Sequence, residues 1–79
     1  MTTTVQEKIR VVSLFEQGKM KPILFSWRHR NYKILQIAFT YFKNKGEERI
    51  FYFTVDTGGA MFELAFSQQK FSWEITKIF

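Results

Sequence analysis

The strongest periodic signal in this chain has a period of two, the repeat of a pleated strand rather than of a helix. Ile23, Phe25 and Trp27 alternate with Leu24, Ser26 and Arg28, and Phe62, Leu64 and Phe66 alternate with Met61, Glu63 and Ala65. Trp73 and Ile75 repeat the pattern against Ser72, Glu74 and Thr76, while residues 49–55 form a run of aromatic and β-branched side chains suited to a sheet surface. Residues 32–42 are apolar on both alternating faces, as expected for a long strand that crosses between parts of a core or carries a bulge near Gln36. Turn-forming clusters separate these runs at residues 17–19, 28–31, 43–48, 56–59 and 67–70. Asp56-Thr57-Gly58-Gly59 reads as a tight hairpin, because Gly supplies the positive φ such turns require.

The first segment supports two readings. Thr4 followed by Glu7 resembles a capping box, and Val5, Ile9 and Val12 recur at helical spacing with Gly18 as a stop. The run Ile9-Arg10-Val11-Val12-Ser13-Leu14-Phe15 alternates equally well and is rich in β-branched residues, which favours a strand. The expected fold is all-β: one small antiparallel meander of five or six strands, curled into a half-open barrel. Its expected core is Phe25, Trp27, Tyr32, Ile34, Phe53, Phe62, Leu64, Trp73 and Ile75.

With 79 residues the chain is one domain, 1–79, with residues 1–7 expected to be flexible. A domain of this size buries only about 60 to 65% of the surface its unfolded chain exposes. There is no Cys to cross-link it, so its aromatic residues, 19% of the chain and mostly Phe, must stabilise it. Residues 1–8 hold no apolar stretch of the kind that opens a secretory signal, and apolar runs such as 50–53 are too short to cross a bilayer. A cytoplasmic protein without a membrane partner is expected.

The stretch Pro22-Ile23-Leu24-Phe25-Ser26-Trp27-Arg28-His29-Arg30-Asn31-Tyr32-Lys33-Ile34 resembles the P-x-x-F-x-W-R-x-R-x-Y-x-V signature of a family of small uncharacterised bacterial proteins. Similar domains in that family occur alone and appended to lesion-bypass polymerase-like proteins. The resemblance extends through residues 49–55, 62–64 and 73–75, and implies a small all-β domain. His29 stands where the family usually has a turn Gly, and Tyr41-Phe42 where a Trp is common.

Three kinds of chemistry find little footing in the sequence. Asp56-Thr57-Gly58 invites comparison with the aspartic protease turn, but no Gly follows Gly59 to build the bracing segment that such a site needs. The lone His29 and the absence of Cys do not supply a zinc ligand set, so no metal or other cofactor is expected. Ser13, Ser26, Ser67 and Ser72 share only His29 as a base, so no enzymatic activity is expected either.

Charge gives the better lead. The net charge is +5, and residues 19–33 contain no Asp or Glu while holding Lys19, Lys21, Arg28, His29, Arg30 and Lys33. In a hairpin these cations form two patches, one at the turn over residues 28–31 and one at the opposite end with Lys19 and Lys21. Arg28 and Arg30 can grip phosphates, and any exposed ring among Trp27, Tyr32 and Tyr41 can stack on an unpaired base. The sequence-based expectation is weak, non-sequence-specific binding of single-stranded nucleic acid by Lys19, Lys21, Trp27, Arg28, His29, Arg30, Tyr32 and Lys33. The competing expectation is a protein-interaction module or weak homodimer, because exposed edge strands accept a partner strand or a second copy.

Overall fold

Alternation and turn spacing translate into seven strands in a computed structural model that describes residues 2–79. They are β1 (Thr3–Glu16), β2 (Lys19–Trp27), β3 (Arg30–Lys33), β4 (Gln36–Lys45), β5 (Glu48–Asp56), β6 (Met61–Ser67) and β7 (Ser72–Ile78). All pairings are antiparallel within one sheet of order β3-β2-β1-β7-β6-β5-β4. The first and last strands are therefore central neighbours, and the sheet opens between β3 and β4. Only Ile34 and Leu35 separate those two edge strands, so the sheet must curl to bring its edges together. Ile34 donates its amide to the Ile23 carbonyl at 3.0 Å, and Leu35 donates to the Asp56 carbonyl at 2.8 Å. This corner divides the long run at 32–42 and raises the strand number from the five or six expected to seven. The expected half-open barrel is what the sheet forms.

Four bulges bend the sheet, each placing one extra residue against its partner strand. The register shifts fall between Thr4 and Glu7 in β1, beside Ile23 in β2, at Ala38 in β4 and at Thr76 in β7. Ile23 illustrates the effect. Simple alternation puts it in phase with Phe25 and Trp27, but as the extra residue it lies exposed, and Pro22 takes the buried position. β1 is a strand throughout, which resolves the ambiguity of the first segment. Within the described part of residues 1–7, Thr3, Thr4 and Glu7 pair with Ile78, Lys77 and Ile75 of β7. Met1 lies outside the described residues.

The core inside the curl is formed by Phe25, Trp27, Phe53, Val55, Phe62, Leu64, Phe66 and Ile75, with Tyr32, Ile34 and Trp73 packed against it. Its rings meet edge to face or stacked: Phe25 lies 5.0 Å from Tyr32 and 5.3 Å from Phe62. Such pairs add about 0.5–1.5 kcal/mol each beyond the area they bury. β6 is buried on both faces, because Glu63, Ala65 and Ser67 of its outer face are covered by side chains from neighbouring strands. No helix among the described residues is long and apolar enough to cross a membrane.

Candidate nucleic-acid interface

β2 carries Lys19 and Lys21 near its start, and the turn after Trp27 carries Arg28 and His29. Over the seven residues from Lys21 to Arg28, at about 3.3 Å of rise each, the two patches stand about 23 Å apart. Both turn residues adopt left-handed φ, 51° at Arg28 and 65° at His29, which projects them away from the sheet. Arg28 is not a free cation. Its Nη2 donates to Glu7 Oε2 at 2.6 Å, and its Cζ stands 4.5 Å from the centre of the Trp27 ring. The Arg28 hydrogen bond, and then that of the Trp27 indole at 3.0 Å, hold the Glu7 carboxyl below its ordinary range.

Trp27 is 9% exposed and its indole N–H is committed to Glu7, so its ring belongs to the core and offers no face to a base. Tyr32 is half-buried, with one face on Phe25 and Phe62 edge-on to it at 5.2 Å. Of the residues expected to bind nucleic acid, Lys19, Lys21, His29, Arg30 and Lys33 are exposed without a salt bridge. The rings that stand clear of the core are elsewhere.

The hairpin of β4 and β5 supplies them. Tyr41 and Tyr52 are paired directly across the strands on the outer face, with ring centres 4.9 Å apart and planes 12° from parallel. Phe39, 60% exposed, lies 5.6 Å from Tyr41 on the same face. The Lys43 ammonium stands 5.8 Å from the Tyr41 ring and 5.7 Å from that of Tyr52, and Lys45 is exposed two residues on. On the other face of the hairpin Phe42 is 53% exposed, with the Arg49 guanidinium 4.7 Å from its centre.

Beneath this platform lies a carboxylate that is covered rather than presented. Glu63 is 4% exposed and accepts hydrogen bonds from the Tyr41 hydroxyl at 2.9 Å and the Thr76 hydroxyl at 2.8 Å. Burial, and then the bond to Glu63, push the Tyr41 phenol up to about 12, so it is a neutral donor at physiological pH. Tyr52 is raised as well, first by burial. The outer face of the hairpin therefore presents rings and ammonium groups, the combination that holds unpaired bases and their phosphates, with Glu48 across from Lys45 and the exposed Glu74 beyond Ala65 on the same face.

The sequence reading named Tyr41 among possible stacking rings but passed over Phe39, Phe42, Lys43, Lys45, Arg49 and Tyr52. A signal was present in Phe39-Thr40-Tyr41-Phe42-Lys43-Asn44-Lys45, where rings and cations interleave as densely as in residues 27–33. The turn Asp56-Thr57-Gly58 is held by its own bonds: the Gly58 amide donates to Asp56 Oδ1 at 2.8 Å, and the Thr57 hydroxyl donates to the Ala60 carbonyl at 3.0 Å. Comparison with protein-family models, with curated proteins and with solved structures finds no match to this chain.

Proposed function

We propose that this small basic β domain binds single-stranded nucleic acid weakly and without strong sequence preference, as an accessory to a larger repair or processing assembly. The supporting observation is the ring and cation platform of β4 and β5, where Phe39, Tyr41 and Tyr52 adjoin Lys43. Stacking tolerates any base, because every base has a π-face, and contributes about 1–3 kcal/mol per base. The cations add a term that salt weakens.

Anisotropy of a labelled oligothymidine, titrated over a range of salt, tests this reading. Each phosphate contact contributes about 0.7 to the slope of log affinity against log salt for a single strand. Changing Lys43 and Lys45 together to Ala should flatten that slope by about 1.4, two contacts at about 0.7 each. Phe39→Ala should weaken binding by about 1–3 kcal/mol at every salt concentration. Affinity indifferent to Phe39, Lys43 and Lys45 alike would refute the placement.

A second reading, a protein-interaction or homodimerisation module without enzymatic activity, draws on a different observation. β2 and β4 each leave a strand edge unpaired, and the two edges face one another across the opening of the curled sheet.

A further inference from the structure

β3 pairs with β2 only from Leu24 to Trp27, so residues 19–22 of β2 have no neighbour on their outer edge. β4 pairs only with β5, so its opposite edge is free along all ten residues. No Cα of β2 comes within 8 Å of any in β4. Neighbouring strands lie about 4.8 Å apart, so two edges that flank a missing strand stand roughly 9–10 Å apart. The opening is wider than one strand spacing, and both of its sides are strand edges.

Its floor is apolar. A cavity of about 760 Å³ lies between the β1–β2 hairpin and β4, lined among others by Phe15, Met20, Phe51, Phe53, Phe66 and Phe71. Phe15 and Phe71 are 67% and 75% exposed, more than any other large apolar side chain among the described residues. The pleat sorts the flanking side chains. Met20 and Pro22 of β2, with Thr40 and Phe42 of β4, share the inner face, since they pair with Phe15, Ser13, Phe53 and Phe51. Lys19 and Lys21 of β2, with Lys43 and Lys45 of β4, take the outer face. None of these four lysines is in a salt bridge; Arg28 with Glu7 is the one ion pair among the described residues.

We propose that this seam accepts an extended polypeptide segment in which apolar and acidic residues alternate, seated as an additional strand between β2 and β4. The proposal rests on the interaction-module reading and names the partner's chemistry. Inward side chains of the guest fill the Phe-lined cavity, and outward ones lie beside Lys19 and Lys21, which border it without a salt bridge and favour carboxylates, whereas Lys43 turns toward the Tyr41 and Tyr52 rings. Because β2 and β4 run in opposite directions, the guest is antiparallel to one edge and parallel to the other. A lipid tail suits the cavity but not its sides, because it would cover the two strand edges and leave their amides and carbonyls without partners.

The test follows backbone amide shifts of the intact chain during titration with an octapeptide alternating Val and Glu, and with one alternating Val and Lys. The Val–Glu peptide should shift residues 19–22 and 36–45 and bind at least about tenfold more tightly than the Val–Lys peptide. Reversing charge with Lys19→Glu and Lys21→Glu, both exposed and tolerant of change, should weaken it about tenfold. Methylating the backbone nitrogens of the Val–Glu peptide should abolish binding. Equal affinity for both peptides overturns the acidic preference. Shifts confined to other strands overturn the seam while leaving an interaction module. No response to either peptide overturns both. Concentration-dependent shifts of the same amides without peptide would make a second copy the occupant, and shifts of residues 19–22 by oligothymidine with none by either peptide would make it nucleic acid; either contradicts the proposal.

Discussion

At Arg28 and His29 the chain makes a tight turn with both central residues at positive φ, and neither is the Gly or Asn that such a turn favours. A left-handed conformation costs a residue with a Cβ about 1–2 kcal/mol. His29→Gly should therefore stabilise the fold by about 1 kcal/mol, offset in part by the greater freedom of Gly in the unfolded chain. Urea unfolding checks this, and an unchanged or lower midpoint would contradict it. Tyr41 makes a second prediction at this scale. Its phenol is raised from 10.0 to about 12 in the folded chain, so on raising pH the unfolded chain loses its proton first. Stability should then fall from about pH 10 towards pH 12 and be unaffected by this group near neutrality. Tyr41→Phe should remove part of that alkaline loss, leaving the share of Tyr52, and should cost about 1–3 kcal/mol at neutral pH because Glu63 loses a buried donor. Unfolding curves at neutral and alkaline pH measure both effects.

Among the elements, the turn between β5 and β6 and the corner between β3 and β4 depend on each other. Gly58 has φ +96°, and a Cβ there would stand 3.0 Å from Leu35 Cδ1, the side chain at the corner where the sheet edges approach. Gly58→Ala should destabilise the domain by about 1–2 kcal/mol through backbone conformation alone, with the Leu35 contact adding to it. Asp56→Asn should leave the fold intact, since Asn also offers Oδ1 to the Gly58 amide. A large loss on the second change and none on the first would reverse the assignment. Strands and turns at this scale were legible because alternation and Gly-containing punctuation are local. The bulge expected near Gln36 is found at Ala38, but the one at Ile23 was not legible, since an extra residue in an antiparallel pair leaves no mark in composition. For the same reason Pro22, rather than Ile23, came to occupy the core. The two-sided apolar run at 32–42 did announce its break, because a strand serving two environments in turn has no single polar face.

For the whole molecule, the juxtaposition of β1 with β7 was beyond local reading, since it joins the two ends of the chain. It explains why the sheet closes at its termini and opens in its middle. The core was largely readable from its rings, with Val55 and Phe66 overlooked. The site was less so. Trp27 and Arg28 look in sequence like a ring beside a phosphate-gripping cation, but Glu7, twenty residues away from Trp27, occupies both. The pairing of Tyr41 with Tyr52 depends on the register of β4 against β5, which only the fold supplies. The central claim is that single strands meet the outer face of this hairpin and not the turn at residues 28–31. Mapping amide shifts of the intact domain against an unlabelled oligothymidine at low salt tests it most directly. We predict saturable shifts over residues 39–45 and 49–52 that recede as salt is raised. Shifts centred on residues 28–33, or none at any concentration, would contradict it.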